Sequence, residues 1–326
     1  MAGWAAAAQS PVDDGVRLFR EGQFAAAEER LAGRTEPVAI AYHALALAAT
    51  GRCEEARSQL EASFAAVESE LRRLAGLALV RCDVSAGRFA GAVQTLEALR
   101  QQFPDAPDVL YENARLHVKG WNVAVEELFD KAPGSFRVNQ LSAEIFEIQG
   151  AYAEAVAEYR QAIEKAPGTL NLHYRLGRAL LLSSHEPETL AEARQAFEAE
   201  LELNPRDAAA EYQIAQIVAV EGEAAEARRR LERAVELDPE FPEALTALGR
   251  ARLEAGEAAE AVELFERATR LAPESEAAWY GLMLAYRNAG RREEALEAKK
   301  RLDALQALPE GEFTEFLRRI GEAPKP

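Results

Sequence analysis

Two cysteines, four histidines and an aromatic share of 7% leave this 326-residue chain poor in side chains that do chemistry. Neither cysteine has a neighbour at C-x-x-C spacing, which excludes the common zinc and dithiol motifs. The chain has no H-E-x-x-H pair, G-x-S-x-G elbow, P-loop or Rossmann glycine set. His185 stands beside Glu186 and Glu188 without metal-ligand spacing, and His43, His117 and His173 fall where packed helix positions are expected. Basic charge is also short. Thirty-eight Lys and Arg face 55 Asp and Glu, and a net charge of −17 argues against the basic stripe a nucleic-acid binder needs. No run of 18 apolar residues exists, so no helical membrane span is expected. These absences point away from an enzyme, a cofactor, a metal site and a nucleic-acid partner.

What the chain has is periodicity. Gly222, Gly256 and Gly290 are each 34 residues apart, as are Ala227, Ala261 and Ala295, and Pro205, Pro239 and Pro273. Alanine, leucine, glutamate and arginine dominate and β-branched residues are sparse, which favours helix throughout. The glycines fall between two apolar helical stretches, where a helix ends cheaply in a left-handed residue. The prolines follow the second stretch and block its continuation. Gly177, Ala215 and Gly249 sit opposite Ala193, Ala227 and Ala261, which lets two helices approach closely. Phe197, Leu231 and Phe265, four residues after those alanines, are then expected to fill the seam to the next pair.

A period of 34 with these residues in register resembles the tetratricopeptide-repeat family, above all bacterial members built of such repeats alone. The segment 136–169 places Ala143, Phe146, Gly150, Ala155, Tyr159, Ala162 and Pro167 at the family's positions 8, 11, 15, 20, 24, 27 and 32. The segment 242–275 does the same with Leu245, Leu248, Gly249, Gly256, Ala261, Phe265, Ala268 and Pro273, and the segment from 276 contributes Trp279, Leu282, Tyr286, Gly290 and Ala295. Carried backwards, the register starts repeats near 8, 37, 73, 107, 136, 170, 208, 242 and 276. The resemblance implies an all-α, right-handed superhelical solenoid of about nine antiparallel helix pairs over 8–309, degenerate in 8–135 and regular in 136–309. It reads as one continuous domain, with Pro104 to Pro107 the best place for a change of curvature. The repeat from 107 is shortened and carries Trp121 where its turn should end, and Ser183 to Pro187 form an insertion between helices. Residues 1–10 read as a disordered or residual signal segment. Phe313, Phe316, Leu317 and Ile320 give 311–321 the pattern of an amphipathic capping helix.

In this family, positions 2, 5, 9, 12 and 13 of each first helix line the inner groove. Position 5 is Tyr111, Gln140, Tyr174, Tyr212 and Tyr280, and position 9 is Arg115, Arg178, Gln216 and Arg250, interleaved with Glu144. Tyrosine and arginine are strong anchors, and an arginine-studded groove on an acidic chain attracts an acidic peptide. The resemblance therefore implies a non-enzymatic scaffold that holds an extended or helical segment of another protein. The carboxylate clamp of chaperone-binding members is absent, because position 5 is not Lys and position 9 lacks Asn. Self-association as a structural protein, or service as an accessory subunit of a separately encoded enzyme, are the alternatives. Cys53 and Cys82 fall on one edge of adjacent repeats, as a disulfide or as two buried thiols. Ala6-Ala7-Ala8 before Gln9 resembles the cleavage end of an export signal, which favours a periplasmic or secreted location over a cytoplasmic one.

Overall fold

The computed structural model describes residues 10–66 and 69–306, and these contain seventeen α-helices and no strand. Residues 1–9 and the expected capping segment 311–321 lie outside the described residues. The chain divides into two compact units, meeting between Ala132 and Pro133. Two units stand where one continuous domain was expected, and Pro104 to Ala106 lie in the loop between two helices of the first unit, the second of which Pro107 opens.

The first unit holds α1 (Pro11–Arg20), α2 (Phe24–Leu31), α3 (Pro37–Ala49), α4 (Cys53–Ala66), α5 (Ser69–Ser85), α6 (Phe89–Gln102) and α7 (Pro107–Lys131). The second holds α8 (Phe136–Ile148), α9 (Tyr152–Lys165), α10 (Leu172–Ser183), α11 (Pro187–Leu203), α12 (Ala208–Val220) and α13 (Ala224–Leu237). It continues through α14 (Pro242–Glu254), α15 (Ala258–Leu271), α16 (Glu276–Asn288) and α17 (Arg292–Gln306). Each odd-numbered helix up to α5, and each even-numbered one from α8, opens a helix pair.

Seven of the eight pairs turn the same way. Glycines 22, 51, 87, 150, 222, 256 and 290 all have positive φ. The residue after each donates its N–H back across the turn, as in Gln23 to Leu18 O at 2.9 Å and Arg291 to Tyr286 O at 2.8 Å. Each glycine N–H also donates three residues back, as in Gly22 to Phe19 O at 3.0 Å, and the two hydrogen bonds satisfy carbonyls that a helix end leaves open. The eighth pair, α10 and α11, turns through the insertion instead, with Pro187 at the first turn of α11.

The repeat from 107 does not turn. It forms one 25-residue helix, α7, so the described residues hold eight pairs and one long helix where nine pairs were expected. Its repeat spans 29 residues rather than 34, and register position 15, glycine in all seven tight turns, is Trp121. A bulky residue has no cheap left-handed conformation, so the helix continues through it.

The seams fill as the small-and-large pattern requires. The Phe197 ring lies against Gly177 of its own pair, where a Cβ would sit 2.7 Å from it. Phe265 is fully buried between Gly249 of its own pair and Gly281 of the next. Each unit thus has its own cores, with Tyr159, Phe197 and Ile214 in a large one of the second unit and Leu45, Leu60 and Leu79 in one of the first.

Candidate functional site

In the second unit the first helices α8, α10, α12, α14 and α16 carry the expected groove residues. Their surroundings differ. Gln140 accepts from Arg137 at 2.7 Å and donates to Glu144 at 3.0 Å, and Glu144 also lies 3.6 Å from Arg175. At α8 the polar groups therefore satisfy one another. The Tyr174 ring packs on Phe197 with centroids 5.5 Å apart, and the Tyr212 ring on Phe241 at 5.1 Å. Both tyrosines are half-buried, and these ring contacts hold them in place. Burial pushes the Tyr212 phenol up, the neighbouring Glu243 and Tyr174 add to the shift, and Arg250 opposes it. Tyr174, Tyr212 and Arg250 therefore share one neighbourhood. Tyr280 on α16 is exposed.

The arginines separate into two sets. Arg175, Arg194, Arg228, Arg230 and Arg252 are all ion-paired, the last to Glu232 and Glu257 at 2.6 Å each. Arg178 and Arg250 are exposed and, among the described residues, their side chains make neither a hydrogen bond nor an ion pair, as is also true of Arg206, Arg270, Arg287, Arg292 and Arg301. Arg178 and Arg250 occupy the same register position on α10 and α14.

The backbone beneath Tyr174 is held by a buried carboxylate. Glu200 on α11 is almost wholly buried, and it accepts from the N–H of Asn171 at 2.6 Å and of Tyr174 at 3.3 Å. Asn171, the N-cap of α10, is the one non-glycine with positive φ among the described residues. Glu200 thus supplies the cap that the Asn171 side chain does not, and an anion there suits the helix N-terminus.

Two features of the surface lay outside the sequence reading. Register position 13 is an exposed apolar residue on three successive first helices: Ile148 at 83%, Leu182 at 48% and Val220 at 76% exposure. On α14 the same position is Glu254. Beside this row, α12, α13 and α14 enclose a cavity of about 650 Å³ whose wall includes Ala215, Gln216, Ala219, Ala247, Arg250 and Ala251. The signal was present, as alanines and as apolar residues at position 13, a place the register already assigns to the inner groove, but the run of three exposed apolar residues shows only in their burial.

Tyr111 and Arg115 belong to α7 of the first unit. The Arg115 guanidinium lies 5.8 Å from the Tyr111 ring centre and 3.5 Å from Glu112. His117, expected to be packed, is exposed, with its Nδ1 2.7 Å from Asn113 O. His43 is half-buried against Gln59. Cys53 at the start of α4 and Cys82 on α5 are joined, with Cα atoms 5.3 Å apart. Beside them the buried carboxylate of Asp83 pairs with Arg57 and, at 2.9 Å, with Arg88.

Stacked helix pairs of fixed period with glycine turns define a repeat scaffold of the tetratricopeptide type. Sequence profiles of the tetratricopeptide repeat match residues 122–169, 143–208, 212–276 and 252–310, more than half of the chain, and the chain belongs to that family. The first match opens within α7. No curated protein matched the sequence. Solved structures of similar fold include MamA, 20% identical, covering 52% of this chain and 91% of that one with a TM-score of 0.46. MamA of Desulfovibrio magneticus RS-1 is 18% identical over 54% of this chain and 97% of that one, with a TM-score of 0.47. YrrB, described as a TPR protein with an unusual peptide-binding site, is 22% identical over 56% and 92%, with a TM-score of 0.46. At these identities the likeness concerns the fold alone.

Proposed function

We propose that this protein-interaction scaffold binds an extended acidic peptide along the first helices of its second unit. The observation that carries the reading is that Arg178 and Arg250, both unpaired, share one register position on first helices, beside an exposed apolar row. Carboxylates of the ligand pair with the two guanidinium groups, and each such charge-assisted contact is geometrically selective. Apolar ligand side chains cover Ile148, Leu182 and Val220, and one enters the alanine-walled cavity beside Arg250. Tyr174 and Tyr212, braced by Phe197 and Phe241, present rigid ring edges to the ligand and lose little entropy on binding.

A panel of fluorescent peptides alternating Asp or Glu with Leu or Phe, read by anisotropy, tests this. Arg178→Glu and Arg250→Glu are each expected to weaken capture by about 2 kcal/mol, the range of an interface hot spot, and added salt to weaken it further. Binding that survives both reversals, with losses mapping to the second helices instead, overturns the groove reading.

A further inference from the structure

The fused helix α7 has a consequence for assembly. In sequence, Lys131-Ala132-Pro133-Gly134 repeats Lys165-Ala166-Pro167-Gly168 at the 34-residue step. That register sets Trp121, Val125 and Leu128 at the places of Ala155, Tyr159 and Ala162, the inward positions of the second helix α9. The latter half of α7 is therefore a second helix by pattern, continuous with its own first helix because the five turn residues are missing. It cannot fold back on its own chain.

The place such a helix would cover is open. Between α6 and α7 lies an apolar cleft of about 500 Å³, whose wall includes Phe89, Val93, Leu96, Leu116, Gly120 and Trp121. Val93 and Trp121 are each about half exposed, at 55% and 50%. Gly120 stands at the middle of α7, where glycine weakens a helix. A Cβ there meets nothing within 4 Å, so no contact among the described residues calls for the glycine.

We infer that a second copy of this chain fills the cleft, in a reciprocal dimer in which the latter half of each α7 lies in the cleft of the other. Shortening the connection between two elements that pack together is a known route to exchange between copies, because only another molecule then supplies the missing element. An antiparallel crossing near Gly120 makes the contact self-complementary, and the absent side chain lets the two helices approach closely. The latter half of α7 carries Glu126, Glu127 and Asp130, and the cleft wall offers Arg100 and His117 together with Glu97, which lies 3.8 Å from Arg100, so charge does not oppose that orientation.

Light scattering across a dilution series of the full chain tests this directly. The wild type is expected to dimerise, and Val93→Glu and Trp121→Glu each to raise the dissociation constant by at least about tenfold while circular dichroism stays helical. Inserting a five-residue glycine-containing turn before Trp121 lets the segment fold back, and is expected to give a monomer. Gly120→Cys reads the crossing independently of affinity: oxidation is expected to link two copies through residue 120, and to leave Val118→Cys, away from the cleft, unlinked. A wild type that is monomeric at every concentration overturns the inference. So does a dimer unaffected by the insertion, or equal cross-linking at 118 and 120.

Discussion

Phe265 shows how single residues set the spacing of this stack. Its ring is wholly buried and touches the bare Cα of Gly249 in its own pair and Gly281 in the next. Truncating it opens a void in two seams at once, so Phe265→Ala is expected to cost about 3–5 kcal/mol in denaturant unfolding. Tyr159 is buried at the same register, with its phenol pushed up to about 12 chiefly by burial. Below its ordinary value of 10.0 the folded and unfolded chains both hold the proton. As pH rises from there towards 12 only the unfolded chain releases it, and stability falls. Tyr159→Phe is expected to flatten that alkaline decline in a pH series of urea melts. Tyr286, also raised to about 12 and hydrogen-bonded to Glu266 at 2.8 Å, and Tyr212, raised by burial, contribute to the slope that remains. These packing roles were legible in sequence, because large and small residues recur in step. The bracing of Tyr174 and Tyr212 was not, since Phe197 and Phe241 reach them from other elements.

At the scale of the helix, two devices place the candidate site. The glycine turns fix where each first helix ends, and so leave Ile148 and Val220 exposed beside the turn. Glu200 fixes where α10 begins. Removing its carboxylate orphans two N–H groups, so Glu200→Ala is expected to cost about 1–3 kcal/mol. The loss should appear as faster amide exchange at Asn171 and Tyr174. A glutamate twenty-odd residues from the backbone it caps leaves no local pattern, and only packing of α11 on α10 reveals it. The fused α7 was half-legible: the missing turn residues were visible, but whether the chain bends without them is decided by the conformation open to Trp121.

The whole molecule consists of two compact units, and each has its own cores. Stability in a repeat stack is a sum of neighbour terms, so the units are expected to unfold in separate steps. The Cys53–Cys82 link closes 29 residues within the first unit alone. On the chain-entropy account such a link stabilises by roughly 3.6 kcal/mol. Reduction is therefore expected to shift one step of a denaturant melt, assigned by hydrogen exchange to residues 10–132, and to leave the other in place. A shift of both steps together would show that the units unfold as one.

By itself the sequence determined the helical class, the period, the family and nearly every turn. Those follow from neighbours in the chain: which residue ends a helix, which side chain recurs every turn, which glycine takes a left-handed φ. Tertiary structure alone decided which arginines stay unpaired, where the boundary between units falls, and that Cys53 lies beside Cys82. It also decided that α7 stands open beside an apolar cleft. Pairing and burial depend on side chains brought together from distant segments. In a stack of near-identical repeats, the same residue at the same register is a wall stone in one repeat and a free anchor in the next.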